Sequence, residues 1–273
     1  MKRLLLAASI LALCIACDPE SGEDPFTPAE VSIDAVMPAL EFGVECKWQQ
    51  GEPVSIFAIT GVEKDGAGHV YTDHCRFCAT SGGYTTTLKG EAPAGADTFF
   101  GLYPYSEDNQ LFGSTFSVII PQQQKAATAQ TVPFPLSAYA VAYGAGQQLI
   151  FTPLCAWVSF GVDREGITAV TLDTRHDAIA GKFGAISEDG KISITQFGED
   201  SPLYTSIEIE AAGSAFRPGE KYYAMVIGNA SWGFDGIEAT IFHDGGSSTV
   251  PVRGEPVFLE AGSVADLGIL SLD

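Results

Sequence analysis

From Val31 to the end the chain carries no apolar stripe of helical period longer than about two turns, and short alternating or apolar runs recur instead. Layers built from amphipathic helices are thereby excluded, because such helices need a sustained 3.6-residue stripe to cover a sheet or one another. Val31, Ile33, Ala35 and Met37 alternate with Ser32, Asp34 and Val36, which puts one set on a buried face of a first strand. Further strands are expected at Val54 to Ile59, Tyr84 to Leu88, Thr98 to Tyr103, Phe116 to Ile120, Leu149 to Val162 and Thr168 to Leu172. The pattern continues through Ile192 to Thr195, Thr205 to Glu210, Tyr222 to Ile227, Ile237 to His243, Thr249 to Val252 and Asp266 to Leu272. Asp65-Gly66, Asp189-Gly190, Asp235-Gly236 and Asp244-Gly245 are residue pairs that tolerate positive φ in tight hairpins. The class is all-β, and this spacing fits sandwiches best.

The stretch from Gln122 to Gln148, rich in Gln and Ala with Pro133 and Pro135 inside it, breaks the pattern. Either a short helix or a long crossing loop fits it, and both make a natural seam near Gln147. Residues 31–147 and 148–273 are accordingly expected to form an N-terminal and a C-terminal β-sandwich.

Ahead of the first strand, Met1-Lys2-Arg3 is a positive leader followed by an uncharged, largely apolar run from Leu4 to Ala16. Such a run has the length of a secretory core and is too short to span a bilayer, which takes about 20 apolar residues. Cys14-Ile15-Ala16-Cys17 resembles the lipobox of bacterial lipoproteins, so cleavage is expected after residue 16, with Cys17 acylated. Residues 17–30, acidic and rich in Pro, Gly and Ser, read as a tether between lipid and globular body. The expected location is the cell surface, on the outer membrane.

Net charge is −20 and becomes more negative once Lys2 and Arg3 are removed. That balance argues against nucleic acid and against docking on anionic lipid, both of which call for basic patches. Beyond Cys14 and Cys17 the cysteines are Cys46, Cys75, Cys78 and Cys155, too few for a disulfide-dense scaffold.

His74-Cys75-Arg76-Phe77-Cys78 has the spacing of a redox pair or half a zinc site, yet it lacks a βαβ setting and a second ligand pair. A loop disulfide or idle thiols fit better, and no metal or cofactor is expected. Neither a Gly-x-Ser-x-Gly elbow nor His-Glu-x-x-His occurs. Glu208 and Glu210 share one face of a strand, the usual mark of a wet face rather than a catalytic pair. Trp48 and Trp157 sit beside apolar strand residues and read as core. Trp232 and Phe234 lie on an expected hairpin tip, where exposed rings stack on sugars or anchor a protein contact.

Taken in order, several segments resemble the fimbrillin-like proteins, subunits of type V pili in Gram-negative anaerobes. Trp48-Gln49-Gln50-Gly51-Glu52-Pro53-Val54-Ser55-Ile56-Phe57 is similar to their Trp-x-x-Gly-Asp-x-Ile-x-Ile-Phe signature, with Glu52 in place of Asp. Phe100-Gly101-Leu102-Tyr103-Pro104-Tyr105, Ile120-Pro121-Gln122-Gln123-Gln124 and Phe151-Thr152-Pro153-Leu154 follow. Pro218-Gly219-Glu220-Lys221-Tyr222-Tyr223, Phe258-Leu259-Glu260-Ala261-Gly262 and Asp266-Leu267-Gly268 complete the series. The resemblance implies two transthyretin-like sandwiches in tandem, and assembly with other pilus subunits by donor-strand exchange. It also implies proteolytic removal of the lipidated segment together with the strand of Val31, Ile33, Ala35 and Met37. The cut would fall between Lys47 and Trp48, at a lysine where the family has arginine. That departure, and a chain stopping five residues after Gly268, favour an anchor or tip subunit over a repeating stalk subunit. The alternative reading is a standalone surface lipoprotein binding a host or bacterial glycan or protein, and a remote one is a polysaccharide-active enzyme.

Overall fold

The structure, a computed structural model, describes residues 26–37, 47–64, 67–128, 139–143, 148–188, 191–196, 201–233 and 235–272. Among them there are strands, turns and irregular segments and no helix. The first half holds β1 (Pro28–Val36), β2 (Pro53–Lys64), β3 (Ala67–Ala79), β4 (Thr85–Pro93), β5 (Thr98–Leu102), β6 (Gln110–Phe112), β7 (Thr115–Ile120), β8 (Gln123–Lys125) and β9 (Tyr139–Tyr143). Next come β10 (Gln148–Ile150), β11 (Cys155–Val162), β12 (Ile167–Asp173), β13 (Ala180–Glu188), β14 (Lys191–Gln196), β15 (Leu203–Tyr204) and β16 (Ser206–Glu210). The last are β17 (Tyr222–Ile227), β18 (Ala230–Trp232), β19 (Ile237–His243), β20 (Gly246–Arg253), β21 (Val257–Leu259) and β22 (Val264–Leu270).

Seven strands form the first sheet in the order β10-β1-β4-β3-β2-β5-β9. Its inner face is set by period-two burial: Val54, Ile56 and Ala58 of β2, Phe77 and Ala79 of β3, Leu88 of β4, and Leu149 of β10 share one core with Trp48 and Phe151. Over part of the opposite face, Phe57, Phe100 and Leu102 pack with Phe116 and Val118 of β7 and Ala185 of β13, whose strands belong to a β14-β13-β7-β6 sheet. The third core lies between the β20-β19-β12-β16-β8 and β17-β11-β22 sheets and contains Trp157, fully buried as expected.

The two halves are stitched together by main-chain pairing across residue 147. β10 pairs with β1, β13 with β7, and β16 with β8. Gln124 of β8 adds a side-chain stitch, its amide nitrogen donating to the Met225 carbonyl at 2.8 Å and its amide oxygen accepting from Met225 N–H at 2.8 Å. An amide side chain thus completes main-chain bonding on β17, and this gives the Ile120–Gln124 motif a physical reason. Within the segment from 122 to 148, the described parts are strands rather than a helix.

Three expectations need correction. The His74–Cys78 patch lies within β3, a strand paired with β2 from Pro53↔Cys78 to Lys64↔Ala67, and not in a loop. The run from Leu149 to Val162 is broken between β10 and β11 around Pro153, which has no N–H to give a ladder. The strand β13 was unforeseen because Gly181 and Gly184 weaken its pattern; at Gly181, with φ of 119°, an added Cβ would stand 2.2 Å from the Pro202 carbonyl oxygen. Because β7 and β8 complete sheets that belong largely to the second half, residues 148–273 expressed alone are expected to show no cooperative thermal transition. A sharp two-state melt of that fragment by circular dichroism contradicts the stitching described above.

Candidate functional site: the seat of the first strand

Strand β1 runs antiparallel to β4 over nine residue pairs, from Pro28↔Pro93 to Val36↔Thr85. On its other side β10 pairs with it in parallel, and only at Asp34, Ala35 and Val36. The ends are pinned by Ala94 N–H donating to the Thr27 carbonyl at 2.9 Å, Met37 N–H to the Tyr84 carbonyl at 2.8 Å, and Phe151 N–H to the Val36 carbonyl at 2.9 Å. Ile33, Ala35 and Met37 are buried in the core of the first sheet and Val31 is half-buried, whereas Glu30, Ser32 and Asp34 face outward. The four residues expected to form the inward face therefore do so.

What holds β1 is burial plus the ladder. Covering side chains such as Ile33 and Met37 contributes roughly 1.5–3 kcal/mol each, and each ladder hydrogen bond about 1 kcal/mol net. On the outer face the Thr87 hydroxyl donates to Asp34 at 3.0 Å. Lys89 stands 3.5 Å from Glu30, but both are exposed and water screens most of the gain. With β1 gone, the ladder edges of β4 and β10 lose their partner above an apolar floor that includes Leu88 and Leu149.

The proposed cut point is built differently. Lys47 is exposed, with its ammonium 5.1 Å from the centre of the Tyr84 ring. Trp48, one residue on, is 2% exposed and stacks edge-on against Tyr103 at 5.7 Å and Phe151 at 5.2 Å. Its N–H donates to the Gly83 carbonyl at 2.8 Å, and its own carbonyl accepts from Gly83 N–H at 3.0 Å. A turn then runs from Gln49 to Glu52 with Gly51 at φ of 83°, a conformation glycine adopts without strain. The Glu52 carboxylate accepts from Gln49 N–H at 2.9 Å and from the Tyr103 hydroxyl. These contacts account for the Trp-x-x-Gly-acid pattern, and none of them involves β1. Trp48 also shares its core with Ile33 and Ala35 of β1 and with Met37, but its main-chain bonds and ring contacts run to Gly83, Tyr103 and Phe151.

Trp232 is not at a surface tip. It is 1% exposed, pairs in β18 with Val257 of β21, and belongs to the C-terminal core. Gly233, at φ of 78°, starts the tight turn that Gly236 N–H closes on the Gly233 carbonyl at 2.9 Å. A buried indole cannot stack on a sugar ring, so Trp232 is withdrawn as a ligand contact. Phe234, Cys17 and the expected signal and tether up to residue 25 lie outside the described residues.

Cys75 and Cys78 are free thiols three positions apart on β3, hence on opposite faces, where they cannot bridge. Burial, with Asp73 adding to it, pushes the Cys75 thiol up to about 11, which leaves it a poor nucleophile. His74 stacks on Phe57 at 4.8 Å and on Tyr105 at 5.5 Å, and its Nε2 lies 2.9 Å from the Ser55 hydroxyl. Asn109 Nδ2 donates to that same hydroxyl at 2.9 Å and to the Pro104 carbonyl at 2.8 Å. Partial burial holds His74 below the usual imidazole range, with Glu107 pulling the other way. Because Ser55 is fully buried, this Ser–His pair fastens the 103–109 segment to β2 and β3 and presents no nucleophile to a substrate. Glu208 and Glu210 alternate with the buried Ile207 and Ile209 along β16 and face the opposite side of the strand. Among the described residues, no group of three or more His, Cys, Asp or Glu gathers as a metal site would need.

Two residues of the seat were missed in the sequence: Leu149 on β10 and Thr86 on β4. Leu149 was assigned to the opening of the second half, and Thr86 is a polar residue facing inward.

No protein-family model matches the chain, and none of the curated proteins matches it in sequence. Among solved structures, a candidate cell adhesion protein from Bacteroides ovatus superposes with a TM-score of 0.53 at 11% identity, covering 88% of this chain and 92% of that one. A fimbrial assembly protein from Parabacteroides distasonis gives 0.38 at 10% identity over 87% and 90%. A candidate cell adhesion protein from Bacteroides eggerthii gives 0.36 at 13% identity over 88% and 86%. The first of these shows a likeness of fold at low identity, and the two lower scores bear no weight.

Trp48→Ala is expected to lower stability by about 3–5 kcal/mol in denaturant unfolding, the cost of emptying a large buried aromatic site. Lys47→Ala is expected to stay within about 0.5 kcal/mol, as exposed substitutions do. Equal losses from the two contradict the division between a pinned Trp48 and a peripheral Lys47.

Proposed function

We propose that this chain is a fimbrillin-like surface subunit, made as a lipoprotein, acylated on Cys17 and held at the outer membrane, which assembles with other subunits by exchange of a β-strand. The observation that carries the reading is the contrast across one peptide bond. Among the described residues ahead of Lys47, β1 is the one strand that joins the body, whereas Trp48 is held by main-chain bonds to Gly83 and by rings and a turn that lie outside β1. Cleavage between them frees β1 without disturbing the Trp48 anchor, and the seat between β4 and β10 then accepts a strand from another subunit by main-chain pairing. A fold shared with a candidate cell adhesion protein supports a surface role. An anchor or tip position fits best with lysine at the cut site.

A standalone binder of glycan or protein, the second reading, loses half its aromatic surface with the burial of Trp232. The work of this chain is then structural and adhesive rather than catalytic.

A photo-crosslinking residue placed at Thr87, whose hydroxyl reaches Asp34 across the seat, tests the reading on the native cell surface. Crosslinks to a second surface subunit are expected, together with loss of palmitate labelling in Cys17→Ser. Crosslinks confined to the chain's own first strand, in protein whose N-terminus is intact, contradict strand exchange.

A further inference from the structure

The shape of the seat says which strands can enter it. Ala35 is wholly buried and is clamped from both sides, by Thr86 of β4 and by Leu149 of β10, each of them buried as well. Directly paired residues on one face lie close enough to limit each other's size. Thr86 has little freedom to give way, because three bonds tie its hydroxyl to Ser81. It accepts from Ser81 N–H at 3.1 Å, donates to the Ser81 carbonyl at 3.0 Å, and lies 3.1 Å from the Ser81 hydroxyl. Two residues to either side the demand reverses. Ile33, opposite the buried Leu88, and Met37, in one cluster with Trp48, are large and buried. Toward Pro28 only β4 pairs with the strand and the inward Val31 is half-buried, so selection there is weaker.

From this we infer that the seat selects its occupant by a size code: large apolar, any residue, small, any residue, large apolar, at the positions now held by Ile33, Ala35 and Met37. The partner is a β-strand of another subunit with Gly, Ala or Ser at the middle position, lying antiparallel to β4 and parallel to β10. The code rests on the strand-exchange reading and adds to it a rule that the reading alone does not contain. A larger central residue forces apart the two strands that hold it, and overpacking of that kind weakens a buried fit.

The test uses the folded full-length chain with a site-specific protease sequence placed in residues 38–46, cut so that β1 stays bound without a covalent link. Fluorescent peptides covering residues 27–37 are then added in excess and their entry is followed by anisotropy. The natural peptide and its Ala35→Gly and Ala35→Ser forms are expected to enter with affinities within a few fold of one another. Ala35→Leu is expected to bind at least about tenfold more weakly, while Ser32→Leu, on the exposed face, matches the natural peptide. If Ala35→Leu enters as well as the natural peptide, the size code is wrong while strand exchange stands. If no peptide enters, the natural one included, strand exchange itself fails and the code falls with it.

Discussion

The ladder between β1 and β4, with alternate side chains of β1 pressed into the first core, is the interaction on which the rest of this structure turns. It closes the inner face of the seven-stranded sheet, and it gives β10 its main-chain partner in that sheet. Through β10 it touches the second half as well, since Leu149 and Phe151 lie in the first core and the chain continues within four residues into β11. Yet the covalent route from β1 to the body reaches an exposed lysine followed at once by a tryptophan whose main-chain bonds run to Gly83 and not to β1. A strand can be essential to the closure of a sheet and peripheral to its chain connectivity. β1 is both.

On the strand-exchange reading proposed above, that double character would let a subunit be stable before assembly and reactive afterwards. While β1 is seated, Ile33, Ala35 and Met37 cover Leu88 and Leu149, and the ladder edges are satisfied. Once β1 leaves, the same floor and edges are left without cover, a state that a sheet tolerates poorly in water. Under that reading, the driving force for a new strand would be the one that held the old strand. The proposed size code would distinguish one occupant from another at the clamped position of Ala35.

Legibility in the sequence followed the strength of the local pattern. β1, β17 and β19 were readable because alternation or apolar content is strong in each, and Trp48 and Trp157 were readable as core for the same reason. β3 was not, because His74, Cys75 and Arg76 look like chemistry; what makes the segment a strand is twelve residues of pairing with β2, a nonlocal fact. β13 was hidden by Gly181, which is there for the close passage of Pro202 rather than for strand propensity. Trp232 was misplaced because a Gly-rich turn signals a hairpin but does not say which way the preceding ring points. The seam near Gln147 looked like a boundary because β8 and β9 are short and β10 begins beyond it, although β8 and β10 pair across it with strands of the other half. The inward face of the first strand was visible from its period of two, while its walls, Thr86 and Leu149, came from opposite sides of that seam and are brought together only by the fold.

Amide hydrogen exchange on the intact and the cleaved chain measures the central claim most directly. With β1 released after a cut between residues 37 and 48, the amides of β4 and β10 are predicted to lose protection, while those of β2, β5 and the C-terminal sheets keep theirs. Protection on β4 and β10 is predicted to return when a peptide of residues 27–37 is added. Loss of protection throughout the chain on release of β1 would contradict the account, since the body from Trp48 onward would then have no existence apart from its first strand.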